Sequence, residues 1–174
     1  LSKKNFINVY ILRYFNVAGA DPLLRSGLSS NPFNLIKAIC EFVNGERDEL
    51  IVNGNNFNTK DGTTIRDFIH VTDLADMHYL ASKNLINNNK SEFEIFNCGY
   101  GIGYSVLEVI KKTEEIIGKK IRYKLGPPRI GDASISVADS NKFKKRFNWK
   151  PKNNDLKFIL KSALDLKKYL KINK

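Results

Sequence analysis

The amino-acid sequence predicts an α/β fold, and three observations support this prediction. Runs of β-branched and aromatic residues recur along the chain, segments with apolar residues at helical spacing lie between them, and Gly, Asn, Asp and Pro mark the junctions. Strands that alternate with helices in this way are typical of the α/β class. With 174 residues, 42% of them hydrophobic, the chain is long enough to bury a core without a disulfide or a metal.

The first strand is predicted over residues 6–15, which are β-branched and aromatic and stop at Asn16, before a turn at 18–22. A buried parallel strand needs neighbours that hydrogen-bond to it and cover it. Since the chain opens at Leu1 and reaches this strand almost at once, we expect further residues upstream.

The other elements follow from capping residues, apolar spacing and turn residues. Helices are predicted over 33–43 after an Asn31–Pro32 start, over 72–86 capped by Thr72, over 106–118 capped by Ser105, over a short segment capped by Asp139, and from Asp155 to about residue 172. Strands are predicted over 49–53, 65–71, 93–98 and 121–125, and loops over 53–64, 99–103 and 126–133. Two prolines and two glycines exclude a helix in the last of these loops.

The composition excludes several classes of protein. Nothing approaches an uninterrupted apolar run of about 18 residues, so we expect no membrane span. Cys40 and Cys98 lie far apart, and His70 and His78 have no Cys or third His near them in sequence, which argues against a zinc site or a disulfide scaffold. The start of the chain lacks the features of a secretory signal, so we expect a cytoplasmic protein.

The positive charge is concentrated in the last third of the chain. Residues 1–110 carry 10 basic and 12 acidic side chains, whereas residues 111–174 carry 19 basic and 6 acidic ones. This pattern indicates either a surface for a polyanion or a set of solvated helix faces, and we favour the second because lysine without clustered arginine is a weak phosphate signal.

A nucleic-acid-binding module centred on residues 142–150 is the alternative from another class of protein, because aromatic rings among cations can stack on bases. Phe143 and Phe147 share one helix face, however, and are more simply core residues. We therefore expect no nucleic-acid partner.

Polar residues at strand ends and helix starts are the first candidates for a binding site. Asn16 follows the first strand, where ligands bind in open α/β sheets, although an asparagine here can also serve only the turn. Asn34 and Leu35 fall in the first turn of a helix, where free N–H groups suit a phosphate, but most helix starts bind nothing.

Two arginines are the next candidates. Arg66 stands in an apolar run, so it must either pair with Asp67 or Asp73 or bind a ligand. Arg129 lies in a Pro- and Gly-rich loop that ends in Asp132. A guanidinium beside a carboxylate suits a ligand with phosphate and hydroxyl groups, although a purely structural loop is also compatible with these residues.

Taken together, these segments resemble a known family. The match runs, in order, through Leu12–Ala20, Gly54–Asp76, Phe96–Ser105, Pro128–Asp132 and Ala138–Asp139. These residues resemble the UDP-glucose 4-epimerases of the extended short-chain dehydrogenase/reductase family, over the chain as far as about Pro151. The Arg-Asp-Phe-Ile-His-Val-x-Asp motif is shared by many nucleotide-sugar epimerases and dehydratases, and the Thr-x-Asp-Gly-Thr motif before it is closer to the 4-epimerases of UDP-hexoses.

The resemblance implies a fold, a reaction and roles for residues. The fold would be the C-terminal part of an NAD(P)-binding Rossmann-type enzyme, with a small substrate-binding α/β domain, and the reaction would interconvert UDP-glucose and UDP-galactose in galactose metabolism. By this resemblance, Phe15 packs near the nicotinamide end of NAD, and Asn16 contacts the nucleotide sugar. Asn34 and Leu35 reach a phosphate, Arg66 and Arg129 bind the pyrophosphate, and Asp132 binds the ribose. The uracil slot is lined by Ile51, Val52 and Asn53, and Ser136 lies at the sugar C2 substituent.

Some of these enzymes carry a large aromatic residue at the position of Ser136, which limits the space around the sugar C2 substituent. The serine leads us to expect that UDP-N-acetylhexosamines fit as well as UDP-hexoses.

The catalytic set of the family has no convincing copy in the sequence. The spacing of Gly99–Gly103 is not that of a dinucleotide-binding turn, and Tyr79 with Lys83 matches Tyr-x-x-x-Lys only formally, because it follows the arginine motif instead of preceding it. We therefore interpret Tyr79 as a half-buried packing residue and assign no catalytic residue.

Residues 1–174 are then expected to form the substrate-binding C-terminal portion of an epimerase whose absent N-terminal portion holds most of the NAD. The resemblance also allows a homodimer of the complete enzyme. Three alternatives stay open: a UDP-glucuronate epimerase, a sugar dehydratase of the same family, or a stand-alone binding domain without activity.

Overall fold

A computed structural model describes residues 7–27, 34–87 and 91–172, and it has the alternating strands and helices of the predicted α/β class. The strands are β1 (Val9–Tyr14), β2 (Asn16–Ala18), β3 (Leu50–Asn53), β4 (Ile65–His70), β5 (Phe93–Cys98), β6 (Gly103–Ser105), β7 (Tyr123–Gly126) and β8 (Ile135–Ser136). The helices are α1 (Leu35–Val43), α2 (Val71–Asn87), α3 (Val106–Ile117), α4 (Asn141–Phe147) and α5 (Leu156–Ile172). The predicted Asn31–Pro32 helix start lies outside the described residues.

The strands form three small sheets. β1 pairs with β5 and β3 pairs with β7, both in parallel. β4 is the centre of the third sheet, where it pairs with β2 and β8 in parallel and with β6 in antiparallel orientation. Because β4 has three neighbours, residues from distant parts of the chain lie next to it.

The core is built from the apolar faces of the helices and strands. α5 packs against α1 and α3, and α4 packs against β5. The ring of Phe143 is fully buried and meets Phe96 edge to face at 5.4 Å between centroids. Phe143 therefore cannot stack on a base, and the prediction that it is a core residue is confirmed.

The predicted strand over 6–15 is in fact two strands in different sheets. The Phe15 N–H donates to the Cys98 carbonyl at 3.2 Å, which closes the pairing of β1 with β5. The chain then crosses to β4, and Asn16 pairs in register with Phe68. Asn16 lies just past the end of β1, as predicted, but it begins β2 and does not lead directly into a turn, so the sheet fixes its position.

The helix starts were predicted with mixed success. Ser105 caps α3 in a full capping box with Glu108, and the Asp155 carboxylate accepts from the first backbone N–H groups of α5, as predicted. Thr72 is not a cap, because α2 already begins at Val71.

The short helix α4 begins one residue later than predicted. Its N-cap is Ser140, and the Asp139 carboxylate accepts from the Asn141 N–H and, among the described residues, from no other helix N–H. The short strands β6 and β8 were missed, because two or three residues carry no periodic pattern.

The basic last third of the chain partly faces acidic residues from the first two thirds. Within the residues that the structure describes, five ion pairs join basic residues of the last third to acidic residues of the first two thirds: Lys124 with Glu49, Lys142 with Glu94, Arg146 with Glu92, Lys152 with Asp76 and Lys167 with Glu46. The charge excess thus has a local role within the fold, although such exposed pairs contribute little to stability one by one. Among the described helices, none is long and apolar enough to cross a membrane.

Candidate functional site

A cavity of about 360 Å³ lies between α1, β3, β4 and the loop after β7. Its lining contains nine of the residues to which the sequence assigned a substrate-binding role, namely Asn16, Asn34, Leu35, Ile51, Val52, Asn53, Arg66, Arg129 and Asp132. These residues come from separate segments of the chain, and only the tertiary fold brings them together.

The alternation of side chains along β4 directs Arg66 into the cavity. Arg66 and Phe68 line it, whereas Asp67, between them, points to the other face of the sheet. The buried Asp67 carboxylate accepts from three backbone N–H groups, those of Tyr100, Gly101 and Ala138. Arg66 therefore does not pair with Asp67.

Asp73 does not pair with Arg66 either. Its carboxylate, almost fully buried, accepts from the Tyr100 hydroxyl at 2.8 Å and from the side-chain amide of Asn153 at 2.7 Å. The backbone N–H groups of Lys152 and Asn153 also donate to it. Both ion-pair partners considered for Arg66 are thus engaged elsewhere.

The guanidinium of Arg66 instead binds the loop that carries Asp132. Its Nη1 donates to the Ala133 carbonyl at 2.8 Å and to the Ile65 carbonyl at 2.9 Å, and its Nη2 lies 3.3 Å from Asp132 Oδ1. The side chains of Arg66 and Asp132 are 16% and 32% exposed, so both remain accessible from the cavity. A ligand phosphate can reach Arg66 and Asp132 from the cavity without a rearrangement of the surrounding loop.

Arg129 lies at the end of β3. With the Asn53 amide oriented so that its oxygen faces the arginine, that oxygen accepts from Arg129 Nε at 3.3 Å and from Nη2 at 3.0 Å. Asn53 is paired in register with Gly126 of β7, just before the arginine loop. The sheet pairing therefore holds Arg129 against the cavity wall.

Asn34 caps α1 and does not lie in its first turn. Its Oδ1 accepts from the backbone N–H groups of Ile36 and Lys37, at 2.9 and 3.3 Å. The side-chain oxygen is thus used by the helix, and the amide nitrogen is the group that Asn34 can offer to an acceptor on a ligand. The positive end of the helix dipole favours an anion at the same place.

A second cavity, of about 620 Å³, adjoins the first and contains the two remaining predicted residues. Phe15 and Ser136 line it together with Arg13, and it shares Asn16 and Asn34 with the first cavity. Ser136 is also paired in register with Arg66 across β8 and β4. The residues predicted to contact the sugar and the cofactor therefore lie next to those predicted to contact the nucleotide, in two cavities that share part of their lining.

The cavity also contains residues that the sequence analysis missed, chiefly Arg47 and Tyr104. Tyr104 lies opposite Arg66 on the unpredicted strand β6. Burial, and with it the charges of Asp155, Glu108 and Asp67, raises the pKa of Tyr104, so it is a neutral hydrogen-bonding phenol at physiological pH. For Arg47, a signal was present in the sequence as an arginine two residues before a predicted strand.

Asp61 holds the long loop that leads into β4. Its carboxylate accepts from the Thr63 N–H at 2.9 Å, from the Thr63 hydroxyl at 2.7 Å and from the Ser105 hydroxyl. Burial alone would raise the pKa of Asp61, but these hydrogen bonds outweigh it and the pKa lies below its ordinary value. The Thr-x-Asp-Gly-Thr segment therefore anchors the loop to the start of α3.

Tyr79 is not half-buried as predicted. It is 64% exposed on the surface of α2, and Lys83 Nζ lies 6.0 Å from its ring centroid. Neither residue lines the two cavities. In the part of the chain that the structure describes, no group of three or more His, Cys, Asp or Glu residues could hold a metal ion.

Strand ends, a helix start and two arginines converge on one cavity of this α/β chain, an arrangement typical of the class of α/β proteins that bind phosphorylated ligands at the edge of an open sheet. Within that class, a model of the NAD dependent epimerase/dehydratase family matches residues 1–99. The chain is a member of this family.

Similar proteins lie in the same family. The chain is 42% identical over 161 residues to a UDP-glucose 4-epimerase of Azospirillum brasilense, covering 92% of this chain and 46% of the relative. Its fold matches a UDP-glucose-4-epimerase of Stenotrophomonas maltophila, solved with NAD and formylated UDP-arabinopyranose, with a TM-score of 0.89 and 32% identity over 96% of this chain and 49% of that one.

A further structure, the UDP-Glc/GlcNAc 4-epimerase of Campylobacter jejuni, is 42% identical with a TM-score of 0.74, over 93% of this chain and 49% of that one. The chain thus spans about half the length of the relatives that it matches.

Proposed function

We propose that the chain provides the substrate-binding, C-terminal portion of an NAD-dependent UDP-glucose 4-epimerase, which interconverts UDP-glucose and UDP-galactose. One observation carries the proposal: Asn16, Asn34, Arg66, Arg129 and Asp132 come from four separate segments and line one cavity. A purely structural role for each of them would not require this convergence.

The chemistry of the lining suits a nucleotide diphosphate sugar. Arg66 and Arg129 supply guanidinium donors for a pyrophosphate, and the α1 start with Asn34 adds an amide donor and a favourable dipole. Asp132 has a second carboxylate oxygen beside the one that faces Arg66, which suits a ribose hydroxyl. In this proposal Ile51, Val52 and Asn53 line the uracil slot.

The second cavity suits the sugar and the cofactor. Phe15 would pack beside the nicotinamide and Asn16 would contact the sugar, because both line this cavity and Asn16 also lines the first. NAD, when bound, supplies reversible hydride acceptance at its nicotinamide. The sequenced residues hold the UDP-sugar in place for that chemistry and provide no acid or base of their own.

The relatives support this assignment. The Azospirillum brasilense relative is a UDP-glucose 4-epimerase, and the Stenotrophomonas maltophila structure holds NAD and a UDP-sugar. Because the chain spans about half of their length, the activity is proposed for the complete protein, and the chain alone is expected to be inactive.

The test uses the complete protein and the 174-residue chain side by side. With added NAD, the complete protein should convert UDP-galactose to UDP-glucose, measured by a coupled assay for UDP-glucose. The chain alone should show no conversion and should bind UDP-glucose only weakly. Conversion by the chain alone would contradict the fragment assignment, and no conversion by the complete protein would contradict the proposed reaction.

We also propose that UDP-N-acetylhexosamines are substrates. Ser136 is half-buried in the second cavity, so a small side chain stands where a bulky C2 substituent needs room. The Campylobacter jejuni relative is a UDP-Glc/GlcNAc 4-epimerase. The complete protein should therefore act on UDP-GlcNAc, and turnover of UDP-glucose without turnover of UDP-GlcNAc would contradict this.

Two alternatives would give other products in the same experiment. A UDP-glucuronate epimerase would act on UDP-glucuronic acid and leave UDP-galactose unchanged, and a sugar dehydratase would release water. A cytoplasmic location and a homodimer of the complete enzyme stay predictions.

A further inference from the structure

The cavity has a second end, away from the two arginines that are proposed to bind the pyrophosphate. Arg47 lines it together with Ala38, Leu50 and Val106. No role was predicted for any of these residues, and the proposed function does not use them.

Two distances along the backbone place Arg47 far from the phosphate end. Arg47 binds Glu41, which follows Asn34 by seven residues along α1, or roughly 10 Å at the helical rise. On the opposite wall, Leu50 precedes Asn53 by three residues along β3, again roughly 10 Å. Arg47 is therefore well removed from a pyrophosphate held beside Asn34 and Arg129, and Asn53, which contacts Arg129, marks the end of the uracil slot nearest to that pyrophosphate.

The guanidinium of Arg47 is fixed by one of its edges. Its Nε and Nη2 both bind Glu41 Oε2, at 3.3 and 2.9 Å. Within the described part of the chain, the guanidinium of Arg47 makes no other hydrogen bond. The two N–H groups of Nη1 therefore have no hydrogen-bond partner among the described residues. The other Glu41 oxygen lies 3.5 Å from Lys37 Nζ, so Glu41 is held from two sides.

The ion pair also changes what Arg47 can bind. Partial burial would raise the pKa of Glu41, but the hydrogen bonds and charges of Arg47 and Lys37 lower it, so the carboxylate is ionised at neutral pH. Arg47 donates two hydrogen bonds to this carboxylate, whereas Arg66 makes a single 3.3 Å contact with Asp132, so the charge of Arg47 is the more fully offset. Its Nη1 therefore suits a neutral acceptor, such as a carbonyl oxygen. The neighbouring side chains of Ala38, Leu50 and Val106 are aliphatic and suit the face of a flat ring.

We propose that Arg47 is a further substrate-binding residue, which donates from Nη1 to the C4 carbonyl of the uracil ring, and that Glu41 positions it. This inference rests on the proposed function, because it takes the ligand to be a uridine diphosphate compound. Arg47 would thereby favour uracil over cytosine, whose C4 amino group is a donor and cannot accept from a guanidinium.

The experiment measures binding of UDP, CDP and inorganic pyrophosphate to the full 174-residue chain by nuclear magnetic resonance titration. The variants are Arg47→Met, which removes the donors, Arg47→Lys, which keeps the charge, and Arg122→Met as a control, an exposed arginine outside the cavity. Thermal unfolding of each variant checks that it is folded.

The unmodified chain should bind UDP more tightly than CDP. Arg47→Met should weaken UDP binding about tenfold, the scale of one hydrogen bond from a charged donor, and should leave CDP and pyrophosphate binding nearly unchanged. Arg47→Lys should lose most of the preference for UDP, since it has no planar donor edge. Arg122→Met should change none of the three.

Equal loss of UDP and CDP binding in Arg47→Met, or a loss of pyrophosphate binding, would overturn the proposal, and so would an unchanged affinity for UDP. The proposed function is tested by a different measurement. If the complete protein prefers UDP through Arg47 but does not convert UDP-galactose, the proposed reaction is wrong and the nucleobase contact is still supported. No preference of the unmodified chain for UDP over CDP would overturn the nucleobase contact, and the reaction would still be decided by the conversion assay on the complete protein.

Discussion

Arg66 and Asp132, which both line the first cavity, contact each other, with Nη2 of the arginine 3.3 Å from Oδ1 of the aspartate. The same guanidinium donates to the Ala133 carbonyl at 2.8 Å. Arg66 thus fastens the loop after β7 to the central strand β4. It can bind a phosphate and at the same time hold the loop that carries Arg129.

Replacing Arg66 should therefore affect binding more than a single lost contact would. We expect Arg66→Met to weaken binding of UDP and of pyrophosphate by about 10- to 100-fold, because charged hydrogen bonds to the ligand are lost and the loop is released. Arg66→Lys should recover only part of the affinity, since an ammonium cannot bind in the bidentate manner of a guanidinium. Titration of the 174-residue chain with each ligand measures both.

Arg122→Met is the matched control for this series, because it removes an exposed arginine outside the cavity. It should bind UDP and pyrophosphate like the unmodified chain. If Arg66→Met behaves in the same way as Arg122→Met, Arg66 has only a structural role.

Two serines at helix starts provide a second prediction. The Ser105 hydroxyl accepts from the Glu108 N–H at 3.0 Å and donates to Asp61, whereas the Ser140 hydroxyl at the start of α4 is buried without a hydrogen-bond partner in the described residues. Ser105→Ala should lower the free energy of unfolding by about 1–2 kcal/mol, because a helix cap and a hydrogen-bond donor to the partly buried Asp61 carboxylate are lost.

Ser140→Ala should have almost no effect or should stabilise slightly, since no hydrogen bond is broken. Urea unfolding at neutral pH measures both variants. Equal losses of stability in the two would show that the hydrogen bonds of Ser105 contribute nothing.

His70 provides a prediction on pH. Its ring is buried, its Nδ1 accepts from the Thr72 N–H at 3.2 Å, and its Nε2 contacts the Ser162 hydroxyl at 3.2 Å. Burial lowers the pKa of His70, and the charge of Asp73 opposes this only in part. The folded state therefore prefers the neutral ring, and an added proton on Nδ1 would face the Thr72 N–H.

The pKa of His70 in the folded state lies below the unfolded value of about 6.5. The neutral His70 ring therefore contributes its full stability above about pH 6.5, and this contribution is lost as the pH falls from about 6.5 through the folded pKa. The free energy of unfolding should thus decrease between pH 7.5 and 5.5. His70→Asn keeps an acceptor for the Thr72 N–H but does not titrate, so it should be less stable at pH 7.5 and should lose less stability on acidification.

The control is His78→Gln, on the exposed side of α2, where the ring bonds to Tyr14 and to the Leu74 carbonyl. The free energy of unfolding of His78→Gln should decrease between pH 7.5 and 5.5 as much as that of the unmodified chain. If the pH dependence disappears in His78→Gln and persists in His70→Asn, the assignment to His70 is wrong.

Ser136 gives a prediction for the complete protein. Ser136→Tyr adds a large ring to the second cavity next to Asn16 and Phe15. It should reduce kcat/KM for UDP-GlcNAc by at least about tenfold and affect UDP-glucose much less, because only the N-acetyl group needs that space. Ser136→Thr, which keeps the hydroxyl and adds one methyl group, should retain both activities. Similar losses for the two substrates in Ser136→Tyr would contradict a role in specificity.

The sequence predicted local features better than contacts. The capping box at Ser105, the cap at Asp155 and the position of Phe143 in the core all depend on residues a few positions apart, and all were confirmed. Local preferences failed where a neighbour in space overrides them: Asn16 is in a strand because β4 pairs with it, and nothing near it in sequence specifies β4 as its partner.

For the candidate site, motif resemblance selected nine residues that line one cavity, but it treated each residue as independent. Arg66 pairs with Asp132, and not with Asp67 or Asp73. This choice depends on the alternation of side-chain directions along β4 and on the position of the loop after β7. Arg47 was missed because an arginine before a strand is common, and only its position beside Glu41 in the cavity gives it a role.

The sequence by itself determined the α/β class, most of the helices and strands and the family, because these follow from patterns within short stretches of chain. The tertiary structure alone decided which polar groups meet: Asp132 lies 66 residues from Arg66 in sequence and yet binds it, and Arg47 reaches the far end of the same cavity. Such contacts arise from packing between distant segments, whose favourable energy is gained only once the whole core has formed.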